Sequence, residues 1–401
     1  MEAPGRSARG PRGFLGQGLG MMVIVGIGGM ASFAFQILVS RWWGPAVLTR
    51  VLTVSSLAAE GTTPAAFGLL PIIIWASHQP LRALRRLQWL ALAAGFVFSL
   101  ALAVAGRLWA LTAGELIPAI LWVIPGFLAT AYAGWLFGRG GPVRAASISS
   151  ITQLIKVGLV VPLGLVLGGK EGALWAMGVA GVLSVPVGLL LVRGHASRDV
   201  LALAPPASSA TWPAALTSAA ISAWISADVP VAARALAGSP NGGSYGVIAS
   251  LGKIPAYLLQ PVWNALVGQG GPWARRLGIG ATALLVVGSL AFGVVGPAAA
   301  RWLGVHLQET WLLLAVYALG STLLAGAYGL AALAARRGSH LWALSAAALL
   351  AFIALHPRSL RGLVAEYAAL QGVVFAGSWL LPAHWLGGER AQRDRPATAR
   401  V

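Results

Sequence analysis

The sequence predicts an all-α protein that crosses a membrane about twelve times. Of its 401 residues, 58% are hydrophobic and only 9% are charged, and the mean hydropathy is +0.79. A soluble domain carries about 25% charged residues. Apolar runs of about twenty residues, long enough for a spanning helix, follow one another along the chain. Inside a bilayer an α-helix satisfies all its own backbone hydrogen-bonding groups, so each apolar run is interpreted as a spanning helix.

Short polar turns separate the predicted spans. The approximate limits are 14–39, 46–76, 87–106, 115–137, 145–168, 172–192, 211–236, 244–268, 277–299, 310–334, 340–356 and 361–382. The predicted domains are a tail at 1–13, a six-helix half at 14–195, a linker at 196–210, a second six-helix half at 211–386 and a tail at 387–401. The first tail is basic and no small-residue cleavage site follows a short apolar core, so we do not expect a cleaved signal peptide.

Basic residues in the loops predict the orientation. Eighteen of the 28 Lys and Arg residues lie in the two tails and the even-numbered loops, and seven lie on the opposite side. Because an excess of Lys and Arg marks cytoplasmic loops, both termini are predicted to be cytoplasmic in a multi-pass protein of the cell membrane. The same distribution accounts for the net charge of +18 without a nucleic-acid partner.

An internal repeat relates the two predicted halves. Adding 193 to positions in the first half places span 87–106 on 280–299 and Arg144 on Arg337. Parallel repeats of this kind occur in transporters built around an axis normal to the membrane. Under the same offset Glu60 maps onto Lys253, so the two halves are expected to present opposite charges at equivalent depths.

Polar side chains follow one face of several spans at helical spacing. They are Thr49, Thr53, Ser56, Glu60 and Thr63 in span two, Gly246, Ser250, Lys253, Tyr257, Gln260 and Asn264 in span eight, Asp228 in span seven, and Ser32, Gln36 and Ser40 in span one. A charge at the bilayer centre costs about 2.5–3.5 kcal/mol, so these faces are expected to line a cleft between the halves. A structural alternative remains, in which Asp228 and Lys253 simply neutralise each other.

Other features limit the function classes. Arg50 is expected to extend to the membrane interface, whereas Lys156, on one face with Ser149 and Gln153, fits a structural or a functional role equally. The chain has no cysteine, and its histidines lack metal-binding spacing, so no metal site is expected. Outer loops of about five to ten residues are too small for the catalytic carboxylates or histidines of a membrane glycosyltransferase or polymerase, so we predict no catalytic residues and no enzyme.

Two segments resemble the polysaccharide flippases of the multidrug/oligosaccharidyl-lipid/polysaccharide exporter superfamily. The first, FQILVSRWWGPAVLTRVLTVSSL, contains the corner of an arginine, two apolar residues and Gly-Pro. The second, SADVPVAARALAGSPNGGSYGVIASLGKIPAYLLQPVWNAL, contains the helix-seven Asp228, the Gly243-Ser244-Tyr245 opening of helix eight and the basic Lys253. One departure is Val47-Leu48-Thr49, where the family often has Phe-Gly or Tyr-Gly.

The resemblance implies a MATE-like fold that flips a lipid-linked oligosaccharide or polysaccharide precursor of the polyprenyl-phosphate type by alternating access. The substrate-binding residues are then Lys253, Arg41, Arg234, Tyr257, Gln260, Asn264 and Gln36, and the coupling or gating residues are Asp228 and Glu60. No cofactor is expected beyond coupling to H⁺ or Na⁺. The expected partners are membrane lipids and the glycosyltransferases or polymerase of the same pathway, around a monomer. The alternative on the same fold is a cation-coupled drug or small-solute exporter.

Overall fold

The computed structural model describes residues 11–59, 82–138, 141–196, 211–237, 242–259, 272–303, 310–334, 341–355, 357 and 359–380. Twelve helices lie in these ranges. They are α1 Pro11–Trp43, α2 Pro45–Ala59, α3 Arg82–Leu108, α4 Ala113–Gly138, α5 Pro142–Leu167, α6 Gly169–Ala196, α7 Thr211–Ala235, α8 Gly242–Gly252, α9 Pro272–Trp302, α10 Thr310–Ala334, α11 Leu341–Leu355 and α12 Leu360–Leu380. A one-residue break after α8 leads into a further helical segment at 254–259.

The all-helical prediction is confirmed, and each helix overlaps the predicted span of the same number. Seven of the described helices are long and apolar enough to cross a membrane, namely α1, α3, α4, α5, α6, α9 and α10. Helices α2 and α11 are apolar but shorter, while α7 carries Asp228 within its apolar sequence. The protein is therefore a polytopic membrane protein.

Helix packing follows two groups. In the first group α1 packs on α5, α3 on α4, and α4 and α5 on α6; in the second, α7 packs on α8, α10 and α11, α9 on α10, and α10 on α12. We call the groups the N half (α1–α6) and the C half (α7–α12). The far end is where α1, α3, α5, α7, α9 and α11 finish and the next helix begins. The opposite end, where α1 begins, is the near end.

Helices α1 and α5 run in parallel, and close contacts define their register. The Ser150 hydroxyl donates to the Ile24 carbonyl at 2.6 Å, and a Cβ built on Gly28 would lie 3.0 Å from the Ser150 Cα. Nearer the far end, the Trp43 ring fills the space over Gly164, which has no side chain to obstruct it. Residues of α1 therefore lie level with residues about 121 or 122 positions later in α5.

Glycines let α5 and α6 approach closely at the far end. Gly168 joins the two helices with φ +89°, a left-handed conformation that glycine adopts without strain. A Cβ on Gly172 would lie 2.4 Å from the backbone N and Cα of Gly164. Close backbone approach through small residues is the usual way in which helices associate in membranes.

Gly172→Ala is expected to destabilise the protein by about 1–3 kcal/mol, because the added methyl group meets backbone atoms that cannot move aside. The measurement is thermal unfolding of the purified protein in detergent. Gly158→Ala in α5 is the matched control, since a Cβ there meets nothing within 4 Å. Equal melting temperatures for the two variants would contradict the packing described above.

Candidate functional site

A buried ion pair lies inside the C half. The Lys253 ammonium donates to Asp228 Oδ1 at 2.7 Å, and the two side chains are 8% and 0% exposed. Both residues were predicted from the sequence to share a cleft wall. The structure shows that they contact each other directly, so the positive charge of Lys253 is balanced by Asp228.

Tyrosines from three helices surround this carboxylate. Tyr245 of α8 donates its hydroxyl to Asp228 Oδ2 at 3.3 Å, and the Tyr317 hydroxyl of α10 donates to the same oxygen. The Tyr317 ring stacks on Tyr367 of α12 with centroids 4.6 Å apart, and Tyr367 contacts Trp224 edge-on at 6.1 Å. Asp228 is thus an acceptor for three donors, which offset the loss of hydration of a fully buried carboxylate.

The local sequence explains how α8 presents Lys253. Pro255 has no N–H to donate to the Leu251 carbonyl, so the helix breaks at Lys253, between α8 and 254–259. Gly252 just before the break allows Tyr317 to approach, since a Cβ there would lie 2.4 Å from its ring. The Gly252 carbonyl also accepts a hydrogen bond from Ser321 at 2.7 Å. The break and the close approach together bring Lys253 and Tyr317 to the same carboxylate.

The ion pair lies nearer to the far end than to the near end. Asp228 is seven residues before the end of α7, and Lys253 is eleven residues after the start of α8. At 1.5 Å per residue these positions are about 10 and 16 Å from the far end. Tyr317 lies at a similar level, seven residues into α10.

The remaining predicted site residues occupy different places. Arg41 is exposed at the far end, where it donates to the Trp302 carbonyl at 3.3 Å, and Arg234 is exposed in the last turn of α7. Tyr257 is 45% exposed. Gln36 is partly buried in α1. The roles given to these four residues remain predictions.

Three predicted site residues lie outside the described ranges: Glu60, Gln260 and Asn264. The expectation that Glu60 and Lys253 lie at equivalent depths therefore stays a prediction from the sequence. Among the residues that the structure does describe, no group of three or more His, Asp or Glu side chains is placed to hold a metal ion.

Arg50 has an ion-pair partner that the sequence did not indicate, and its expected position at the membrane interface stays a prediction. Arg50 Nε and Nη2 donate to the two carboxylate oxygens of Glu115, each at 2.8 Å, and Lys170 Nζ lies 3.4 Å from the same carboxylate. Glu115 is 1% exposed and also accepts the Thr112 backbone N–H at 2.8 Å. The two parallel N–H···O bonds make this a bidentate ion pair, the strongest geometry for an arginine with a carboxylate.

The two halves are hydrogen-bonded at the far end. Between described residues, four side-chain hydrogen bonds cross from one half to the other, all at this end. They run from Ser40 to the Leu303 carbonyl at 2.7 Å, Arg41 to Trp302 at 3.3 Å, Thr49 to Gly243 at 2.7 Å and Trp109 to Pro230 at 3.0 Å. These contacts join α1 to α9, α2 to α8 and the α3–α4 corner to α7.

One of these contacts reaches the ion pair. The Trp109 indole N–H donates to the carbonyl of Pro230, two residues after Asp228. Arg50 holds Trp109 in turn, because its Nη1 donates to the Trp109 carbonyl at 3.2 Å and its Nη2 to Ala110 at 2.9 Å. The Arg50–Glu115 pair therefore positions a contact between the halves beside Asp228.

Sequence reasoning missed Glu115, Trp109, Tyr317 and Tyr367. Their helices were predicted, but nothing in their spacing says which of them face the ion pair. One compositional signal was present: five of the six tyrosines lie after residue 240. Because a buried tyrosine hydroxyl needs a polar partner, this enrichment could have indicated a polar centre in the C half.

No protein-family model matches this chain, and no curated protein matches it. Solved structures do. The MATE multidrug transporter DinF-BH in complex with R6G aligns with a TM-score of 0.61 at 15% identity, over 96% of this chain and 97% of that chain. The outward-facing conformation of a multidrug resistance MATE family transporter of the MOP superfamily aligns with 0.60 at 14% identity, over 94% and 96%. Its inward-facing counterpart aligns with 0.56 at 15%, over 93% and 99%.

The chain has the MATE fold. The inward-facing and outward-facing structures match over nearly the same share of the chain. The likeness therefore concerns the arrangement of the helices and does not single out one conformation.

Asp228→Asn is expected to reduce the free energy of unfolding by about 3–5 kcal/mol, because the Lys253 ammonium loses the carboxylate that balances its charge. Adding Lys253→Met removes both charges, so the double variant should recover part of this loss. Thermal or denaturant unfolding of both single variants and the double variant gives the coupling energy as a double-mutant cycle.

Arg234→Gln is the control for the loss of a charge in α7, and little change is expected because Arg234 is exposed. A coupling energy of zero between Asp228 and Lys253 would show that the pair does not stabilise the fold.

Proposed function

We propose that this chain is an alternating-access transporter that flips a lipid-linked oligosaccharide or polysaccharide precursor across the cytoplasmic membrane. The MATE fold supplies two halves that can rock against each other. The far-end hydrogen bonds close one side of the interface between them. If the termini are cytoplasmic, as the loop charges predict, these hydrogen bonds lie on the outer side and must break before a precursor can leave there.

The unpaired charge of Lys156 in the N half carries this proposal. Four charged residues are buried in the described ranges, Glu115, Lys156, Asp228 and Lys253, and the carboxylate oxygens of the partly exposed Glu366 in α12 are buried as well. Asp228 balances Lys253, and Arg50 balances Glu115. Lys156 forms no ion pair with a described carboxylate, so its surroundings in the N half favour an anionic ligand. A sugar linked through phosphate to a polyprenyl chain has an anionic, hydroxyl-rich head group, and its lipid tail can remain in the bilayer.

In this proposal Asp228 and Lys253 act as a gating pair. They join α7 to α8 about 10–16 Å from the far end, next to the Pro230 carbonyl that binds Trp109. Opening the far end requires the Trp109–Pro230 hydrogen bond and the other three hydrogen bonds between the halves to break. Proton or Na⁺ coupling at Asp228 would then alter the pair directly, since a protonated or cation-bound carboxylate holds an ammonium less strongly.

The second candidate is a cation-coupled exporter of drugs or small solutes. It is favoured by the likeness to structures described as multidrug transporters, and by the fully buried carboxylate of Asp228, which could attract a cationic solute. The two candidates differ in the charge of the ligand and in whether a lipid tail is required. They can therefore be separated in one reconstituted system.

Locking the far end closed is expected to stop transport. The chain has no native cysteine, so Ala46→Cys with Gly243→Cys introduces a single pair; a Cβ on Gly243 would lie 3.3 Å from the Ala46 Cα. Oxidation of the double variant in proteoliposomes should abolish transport, and a reducing agent should restore it. Each single-cysteine variant, oxidised in the same way, is the control. Undiminished transport by the cross-linked protein would exclude alternating access through this end.

The substrate class is tested with the wild-type protein in liposomes. A fluorescent polyprenyl-diphosphate saccharide should move between leaflets, as shown by its exposure to a membrane-impermeant quencher. In the same liposomes an imposed pH or Na⁺ gradient should drive no movement of an organic cation dye. Gradient-driven dye movement without saccharide flipping would reject the flippase proposal in favour of the exporter. The oxidised cysteine pair supplies an inactive protein of almost the same sequence.

A further inference from the structure

Lys156 carries a buried charge that no described carboxylate balances. It lies in the middle of α5 and is 9% exposed. Its ammonium sits 4.5 Å from the centroid of the Phe35 ring of α1, and in the described part of the chain it forms no ion pair. A cation–π contact replaces only part of the hydration that an ammonium loses on burial. Lysine at such a position is therefore costly to the fold, and charged residues kept within spans at such a cost usually serve a function.

Two glutamines near Lys156 have buried polar atoms without partners. Gln153 lies one helical turn before Lys156 on the same face of α5, and the register of α1 with α5 places Gln36 within one turn of Lys156. The amide oxygens of Gln36 and Gln153 are both buried and accept no hydrogen bond. Buried side-chain oxygens in proteins nearly always have a donor. Two such oxygens within about one helical turn of an unbalanced ammonium are suited to hold a polar ligand.

The three side chains define what that ligand must offer. The Lys156 ammonium provides donors and a positive charge, so it needs an anionic acceptor such as a phosphoryl oxygen. The oxygens of Gln36 and Gln153 need donors, which a hydroxyl group supplies. We propose that Lys156, Gln36 and Gln153 form a binding site in the N half for a phosphoryl group that carries neighbouring hydroxyl groups. This inference rests on the proposed function, because it identifies the site that takes the sugar-phosphate head group.

The position of Lys253 supports Lys156 as the anion ligand and Lys253 as part of the gating pair. Lys156 is eleven residues before the end of α5, and Lys253 is eleven residues after the start of α8, so both lie about 16 Å from the far end. Lys253 already donates to Asp228 at 2.7 Å, and an anion could recruit it only by breaking that pair. Lys156 has no such competitor among the described carboxylates. The head-group anion therefore goes to the N half, and the ion pair of the C half remains as a gate.

Binding is tested on the full-length protein in lipid nanodiscs, with two phosphorylated probes and their neutral counterparts. The probes are polyprenyl phosphate within the bilayer and a soluble hexose 1-phosphate; the counterparts are polyprenol and the free hexose. Lys156→Met is expected to weaken binding of the phosphorylated probes about tenfold or more, since it removes a charge-assisted hydrogen bond. Lys156→Arg should retain most of the affinity, and Gln153→Leu should weaken binding of the hexose 1-phosphate more than that of polyprenyl phosphate.

Lys170→Met is the matched control, because it removes the same charge from a partly exposed side chain outside the proposed site. Its affinities should equal those of the wild type. Thermal unfolding provides a second readout: Lys156→Met should melt at the same temperature as the wild type or higher, since it removes an unbalanced buried charge. A variant that is at least as stable but has lost phosphate binding cannot be explained by misfolding.

The outcomes separate this inference from the proposed function. Lys156-dependent binding of hexose 1-phosphate, without flipping of the polyprenyl-linked saccharide, supports the site and rejects the flippase. Flipping that persists in Lys156→Met with unchanged affinity supports the flippase and overturns the site. Equal binding of the neutral and phosphorylated probes also overturns it, as does a Lys156→Met variant that is markedly less stable than the wild type.

Discussion

The ion pair between Asp228 and Lys253 is the interaction on which the C half depends. Burying a charge in a membrane protein costs least when its partner lies at the same depth, so the pair fixes α7 against α8 at one level. Tyr317 and Tyr245 then satisfy the second carboxylate oxygen, which draws α10 to the same point. The break in α8 at Lys253 follows from Pro255, so the sequence that interrupts the helix also positions the charge.

The pair is also tied to the closure of the far end. The Pro230 carbonyl, two residues from Asp228, accepts the Trp109 indole N–H, and Arg50 holds the Trp109 carbonyl while it binds Glu115 at 2.8 Å. These contacts form a continuous physical series from the C half into the N half. Coupling between distant sites needs an element with two arrangements as well as a chain of contacts. Here that element is the interface between the two halves. It is closed when its hydrogen bonds to backbone carbonyls are formed, and it can open when those carbonyls bond to water instead.

The sequence was sufficient for the fold and for part of the site. Runs of apolar residues predict each helix because bilayer physics leaves few alternatives, and charges within such runs are rare enough to identify Asp228 and Lys253. Periodicity, however, places a residue on one face of its own helix without saying which helix packs there. Glu115 is 65 residues from Arg50, so its pairing could not be predicted, and Arg50 was assigned to the interface. Tyr317, 89 residues from Asp228, was missed for the same reason.

The structure changes which lysine is the better anion ligand. The sequence favoured Lys253, since it stands in the polar face of span eight and resembles the basic residue of a flippase helix. Its contact with Asp228 makes that role expensive: an incoming phosphate must separate two buried charges before it gains one. Lys156 gains a counter-ion without losing one. A transporter that binds its anion at Lys156 can therefore keep its gate closed while it loads, whereas one that bound at Lys253 would loosen the gate in the act of binding.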